Sequence, residues 1–187
     1  MDTRRPTRYV WRVADGSSAE PREILGWDEF GQAARELAAS VVADGYRPDL
    51  LLAIARGGLA VAGAVSYALG IKNCCVLNVE YYTGVDERLE VPVVLPPSLD
   101  LVELGDARVL VVDDVADTGH TLELVAQIVR PQVSTLRTAV LYEKSRSVVK
   151  CDHVWRRTDD WIVFPWSALP PVAGARPDAT EATLRNP

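Results

Sequence analysis

Three carboxylates fall within the stretch VVDDVADTGHT, at Asp113, Asp114 and Asp117, directly ahead of Thr118, Gly119, His120 and Thr121. The second half of the stretch has the chemistry of an anion cradle. A glycine lets the backbone pass close to a bound oxyanion, and threonine hydroxyls add donors. The helix-like run TLELVAQIV would bring the amides of a helix N-terminus to the same place. The first half has the opposite chemistry, because carboxylates accept hydrogen bonds from hydroxyls and bind hard cations. An Asp-capped turn alone would not need the adjacent pair, since two neighbouring carboxylates at a strand end repel each other.

A second loop, Ala55-Arg56-Gly57-Gly58, follows the apolar run LLLAIA. Its paired glycines permit close backbone approach, and Arg56 supplies a fixed positive charge suited to a phosphate. Neither loop has the Gly-Lys-Ser/Thr of a Walker site, and no G-x-G-x-x-G occurs, so ATPase and dinucleotide-binding readings lose their support.

The elements that would position these loops alternate between strand and helix. Phe30, Ala33, Ala34, Leu37, Ala38 and Val41 recur at helical spacing, with Asp28 placed to cap the start and Gly45 to end it. LLLAIA (50–55), CCVLNVEYY (74–82), VLVVDD (109–114) and LRTAVLYEK (136–144) read as strands. A small-residue helix follows the first of these, and a helix from about Thr121 to Val129 follows the third. The pattern predicts an α/β fold with a mostly parallel twisted sheet flanked by helices. Such sheets bind ligands beyond the carboxyl ends of their strands, where both loops lie, so the two loops should converge on one site. We expect an N-terminal extension over 1–25, one domain over 26–170 with a small hood from about 145 to 170, and a flexible tail over 171–187. The segment CDHVWRRTDDWIVFPWSALPP reads as that cap, with Trp155 and Trp166 in its core. The Pro-containing stretch 83–104 is long for a connection inside a compact domain, which points to a functional loop.

Composition bounds the function classes. A net charge of −6 argues against a sequence-independent grip on nucleic acid, which depends on Lys and Arg neutralising phosphates. The 3 cysteines, Cys74, Cys75 and Cys151, include an adjacent pair that is awkward to bridge, so reduced thiols in a cytoplasm fit best. No run approaches the roughly 18 apolar residues of a membrane span, and the basic start MDTRRPTRYVWRV has no apolar segment behind it.

A hydrophobic strand, Asp-Asp, two residues and then Asp-Thr-Gly-x-Thr resembles the phosphoribosyl-pyrophosphate (PRPP) signature of the type I phosphoribosyltransferases. Ala-Arg-Gly-Gly (55–58), Tyr-Glu-Lys (142–144) and Asp-Asp-Trp-Ile with Pro-Trp (159–166) are similar in order and spacing to the bacterial xanthine-guanine and hypoxanthine enzymes. The resemblance implies Mg²⁺-dependent transfer of the 5-phosphoribosyl group from PRPP to N9 of a 6-oxopurine (hypoxanthine, guanine or xanthine), with pyrophosphate as product. It also implies that Asp113 and Asp114 hold the ribose hydroxyls and the metal, and that Asp117 is the catalytic base or hydrogen-bond partner near N7. The backbone of Thr118, Gly119, His120 and Thr121 would cradle the 5′-phosphate, with Ala116 and Asp117 also in the PRPP-binding stretch. Arg56, Gly57 and Gly58 would form the pyrophosphate loop, with a cis peptide bond at Ala55-Arg56. Lys144 would donate to the purine O6, Trp161 would stack on the base, and the Ile162 backbone would read the 2-position. The hood would come largely from the C-terminal segment, and the assembly would be a homodimer or homotetramer.

The segment Tyr82 to Leu95 resembles the loop that closes over PRPP in this family, with Tyr82 and Arg88 as its candidate contacts. It departs from the family's basic pattern, having only Arg88 among Asp86, Glu87 and Glu90. Two other readings therefore stay open: a non-catalytic PRPP-binding regulatory protein, and a transferase acting on an unusual purine-like base.

Overall fold

A computed structural model describes residues 21–84, 87–95 and 105–172, with the backbone alone for 80–84 and 87–95. The elements run β1 (Arg22–Ile24), α1 (Trp27–Ala43), β2 (Leu50–Ala55), α2 (Gly57–Leu69), β3 (Cys74–Gly84), β4 (Glu87–Leu95), β5 (Arg108–Ala116), α3 (His120–Val129), β6 (Thr135–Glu143), β7 (His153–Arg157) and β8 (Trp161–Val163). The main sheet has the order β4-β3-β2-β5-β6-β7. Its strands are parallel except β4, which turns back antiparallel on β3.

The central strands are continuously apolar because both of their faces are covered. In β2, Leu51 and Ala53 point into one core with Ala34, Leu37 and Val41 of α1 and Val61 and Val65 of α2. Leu50, Leu52 and Ile54 point into the opposite core with Leu122, Val125 and Val129 of α3. β5 repeats the alternation, with Leu110 and Val112 on the first side and Val109 and Val111 on the second. This is the period-2 geometry of a strand read between two helical layers. Burying each of these valines, leucines and Ile54 contributes about 1.5–3 kcal/mol, and helices on both faces hold the carboxyl ends of β2 and β5 side by side, with Ala53 opposite Val112.

The structure corrects three local expectations. The cap of α1 is Gly26, and Asp28 instead lies in its first turn, where its charge favours the helix N-terminus. His153–Arg157 is a strand of the main sheet rather than part of a separate cap: it pairs parallel with β6, Ala139 opposite His153. As an edge strand it carries outward Arg156 and Arg157, which hid its alternation. Residues 22–24 pair parallel with β8, Glu23 opposite Ile162, so the hood is a two-stranded sheet closed by a strand from the N-terminal side. Within 83–104, residues 87–95 form β4. The N-terminal extension up to residue 20, the remainder of that loop, and the tail from 173 lie outside the described residues. No helix among the described residues is long and apolar enough to cross a membrane.

Candidate active site

The two loops meet where β2 and β5 end. The Ala55-Arg56 peptide bond is cis, and α2 starts immediately after it. A Cβ on Gly57 would stand 2.0 Å from Asp114 Oδ2, and one on Gly58 would stand 2.5 Å from the Val112 carbonyl oxygen. At Gly58 the obstacle is backbone, so only glycine fits there, and at Gly57 a side chain would have to displace the Asp114 carboxylate; the α2 N-terminus thus lies directly against the Asp113-Asp114 pair. Arg56 is exposed at the rim and has no ion-pair partner among the described residues.

The carboxylate pair sits in an environment hostile to charge. Asp113 is 9% exposed, and burial, followed by the charge of Asp114, pushes its carboxyl well above the usual range. Burial also raises Asp114. The Asp114 backbone N–H donates to Asp113 Oδ1 at 2.9 Å, and the Gly58 N–H lies close enough to favour the charged form of the same carboxyl. The Val115 N–H and the Trp166 indole lie close enough to Asp114 to favour its charged form, against the burial that raises it. No lysine or arginine among the described residues forms an ion pair with either. Two adjacent hard oxygen donors whose charges lack a cation fit a Mg²⁺ that takes its other ligands from substrate and water; no set of three or more potential metal-ligating side chains occurs among the described residues.

After Asp114 the strand runs to Ala116, whose carbonyl accepts the Lys144 N–H at 3.0 Å. Gly119 caps α3 at φ 83, a left-handed conformation that favours glycine. Its missing side chain also matters: a Cβ there would lie 2.5 Å from Ser147 Oγ and 2.9 Å from the Val149 N. The Thr118 carbonyl accepts the Val148 N–H at 2.9 Å. The β5–α3 turn is thus packed against the 144–150 turn. Asp113, Ala116, Asp117, Thr118, Gly119 and Thr121 line a cleft of about 220 Å³ at the start of α3. His120 is exposed, with Nδ1 3.6 Å from Glu123 Oε2 one turn along α3.

Asp117 faces the turn that follows β6. Lys144 is buried, with Nζ 3.4 Å from Asp117 Oδ1. Arg146, which the sequence reading did not single out, forks onto the same carboxylate: its Nε is 2.8 Å from Oδ1, and its Nη2 lies 2.5 Å from Oδ1 and 2.6 Å from Oδ2. The signal in the sequence was two cations spaced Lys-x-Arg across a tight turn. Glu143 anchors the base of that turn from a fully buried position, accepting the Cys151 N–H at 2.8 Å and Arg157 Nε at 3.0 Å. Asp159 Oδ1 accepts the Ser145 N–H at 2.8 Å and ties the turn to the hood.

Trp161 is 63% exposed on the hood. The Trp161 N–H donates to the Pro21 carbonyl, and the Val163 carbonyl accepts the Leu25 N–H. In a parallel pair, alternate residues bond the same neighbour, so the N–H and C=O of Ile162 between them point away from β1. Trp166 stacks on Phe164 at 4.9 Å and meets Phe30 edge-on, as expected of a cap core, and it additionally reaches Asp114. Trp155 donates to Glu36 Oε2 at 2.7 Å. The backbone of Tyr82 and Arg88 lies on the β3–β4 hairpin; their side chains lie outside the described part.

Comparison with known proteins identifies the family. The family model described as "Phosphoribosyl transferase domain" matches residues 22–170. The chain is 34% identical over 154 residues to a xanthine-guanine phosphoribosyltransferase of Ruegeria sp. (strain TM1040), covering 76% of this chain and 83% of that protein. It is 32% identical over 147 residues to one from Gluconobacter oxydans (strain 621H), covering 77% and 83%. Among solved structures, a purine phosphoribosyltransferase from Pyrococcus horikoshii Ot3 superimposes with a TM-score of 0.69 at 37% identity, covering 81% of this chain and 97% of that one.

Proposed function

The chain belongs to the phosphoribosyl transferase family, and we infer that it is a purine salvage enzyme transferring the 5-phosphoribosyl group of PRPP to N9 of a 6-oxopurine. One observation carries the choice of base: Lys144 Nζ and Asp117 Oδ1 lie 3.4 Å apart. A 6-oxopurine presents an acceptor, O6, beside a proton on N7, and this pair presents the matching donor and acceptor. Adenine's amino group would meet an ammonium that cannot accept from it.

In this reading the C1–oxygen bond to pyrophosphate breaks as N9 bonds to C1, and the proton leaving the base passes to or is held by Asp117. A positioned carboxylate of this kind contributes about 10²–10⁴-fold in rate. The amides of 118–121 at the start of α3 receive the 5′-phosphate, with Thr118 and Thr121 as further donors. The α2 N-terminus, with Gly57, Gly58 and Arg56, receives the pyrophosphate. Asp113 and Asp114 accept from the ribose 2′- and 3′-hydroxyls and would hold Mg²⁺, which neutralises pyrophosphate charge when bound. Trp161 covers the base, and Ile162 offers its free backbone groups to the 2-position.

The test is a panel of hypoxanthine, guanine, xanthine and adenine assayed with PRPP and Mg²⁺. Nucleotide should form from at least one 6-oxopurine and not from adenine. PRPP binding without turnover on any base would overturn the reading in favour of a regulatory PRPP-binding protein.

A further inference from the structure

We propose that Arg146 is a positioning residue for the transferred base, setting the Asp117 carboxylate so that one oxygen is saturated and the other keeps a lone pair for the purine. The proposal rests on the phosphoribosyl-transfer reading above and extends it to a residue outside the family motif.

The argument is a count of acceptor sites. An ionised carboxylate offers about four lone-pair directions, two per oxygen. Oδ1 of Asp117 receives Arg146 Nε at 2.8 Å and Nη2 at 2.5 Å, with Lys144 Nζ at 3.4 Å, so it has nothing left to offer. Oδ2 receives only Nη2, at 2.6 Å. One lone pair of Oδ2 is therefore the open acceptor. Lys144 makes an ion pair with Oδ1 but no hydrogen bond to it, so its ammonium protons remain for another partner. A rigid guanidinium fork fixes the plane of the carboxylate, as a single ammonium cannot.

Arg146 is well placed to hold an orientation. Its turn is pinned at three points: Ser147 N–H to the Lys144 carbonyl, Val148 N–H to the Thr118 carbonyl and Ser145 N–H to Asp159. The side chain is 60% exposed and reaches back over Asp117 from the solvent side. An exposed salt bridge contributes little to stability, so a fork this complete serves geometry better than folding.

The experiment measures kcat, the KM for PRPP and the KM for the best 6-oxopurine in wild type, Arg146→Gln and Arg146→Lys, with thermal melting of each. We expect Arg146→Gln to lose about tenfold or more in kcat, the scale of a misplaced catalytic group, with the PRPP KM and the melting temperature nearly unchanged. Arg146→Lys, which keeps the charge and loses the fork, should lose most of the same turnover. Full activity in Arg146→Lys would overturn orientation by the fork. A kcat of Arg146→Gln within twofold of wild type, or a loss that tracks a fall in melting temperature or a rise in PRPP KM, would also overturn it. Absence of turnover in wild type with every 6-oxopurine would instead break the reading on which the proposal stands.

Discussion

The two poles of the central sheet treat aspartate in opposite ways. At the amino-terminal pole, Asp49 ahead of β2 is closed off by Arg108 of β5: Arg108 Nη2 lies 2.7 Å from Oδ1, while its Nε and its backbone N–H each lie 2.9 Å from Oδ2. The side chains are half exposed, and those hydrogen bonds hold the Asp49 carboxyl down at about 2. At the carboxyl-terminal pole of the same strands, Asp113 and Asp114 are buried next to each other without a cation, and both are pushed upward. One pole is complete as folded. The other bears a standing electrostatic cost that a ligand with hydroxyls and a metal would relieve, which is the pattern of binding sites assembled at the expense of stability.

The sharpest way to test that contrast is at Asp117. Asp117→Asn keeps the shape and removes the charge, so kcat should fall by about 10²–10⁴-fold while PRPP affinity changes little. Steady-state kinetics with the preferred base checks this; turnover within a few-fold of wild type would remove Asp117 from its role. Next comes the wall of the cradle. In Gly58→Ala the new methyl would meet the Val112 carbonyl at 2.5 Å and the Asp113 Cα at 3.1 Å, and both are backbone. Overpacking of that kind costs about 1–3 kcal/mol, so denaturant unfolding should show that loss together with weaker PRPP binding. An unaltered midpoint with full affinity would mean that the α2 N-terminus can move away from β5.

How far the sequence reveals this divided molecule depends on where each feature is encoded. Both poles of the sheet are legible where a continuous apolar run is bounded by turn residues, as in LLLAIA before Arg-Gly-Gly. The cradle is legible because close packing demands glycines at 58 and 119 and, against the Asp114 side chain, favours one at 57. The hood is harder to read. β1 is three residues long, too short for any period, and is a strand only because β8 lies beside it. β7 hides its place in the sheet because, at the edge, it exposes the arginines at 156 and 157. Arg146 leaves only the weak mark of Lys-x-Arg in a turn, because its role arises through a side chain that meets a residue 29 positions away. Features carried by backbone demands leave a mark on residue type; features carried by side-chain reach leave a fainter one.

Asp114→Asn should separate function from stability at the carboxyl pole. It removes a buried charge that burial has raised above the ordinary 3.8. A carboxyl raised in the folded state contributes stability that is full below the unfolded value and is lost as pH rises through the folded one. The ligand-free protein therefore gives up this contribution at neutral pH, and the amide, which has no charge to desolvate, should raise its melting temperature there while PRPP and metal binding are lost. Below about pH 4 the two proteins should converge. A lower melting temperature for Asp114→Asn at pH 7 would show that the pair is already compensated.

The smallest effect belongs to the amino pole, and its sign is reversed. Asp49 is depressed from 3.8 to about 2, chiefly by the Arg108 side-chain hydrogen bonds. A depressed carboxyl contributes stability that is present above the unfolded value and lost as pH falls through the folded one. Asp49→Asn should therefore melt slightly below wild type at pH 7, and the gap should close as pH falls from about 4 towards 2. Because the pair is exposed, high salt should also narrow the gap. Turnover should not change, since β2 delivers Gly57 and Gly58 from its opposite end and both hydrophobic cores hold that strand independently of the ion pair. Melting curves across pH, with a single kcat at neutral pH, measure both claims. A fall in kcat with Asp49→Asn would mean that the two poles are coupled through β2 and β5, and that the completed end of the sheet helps to set the geometry of the incomplete one.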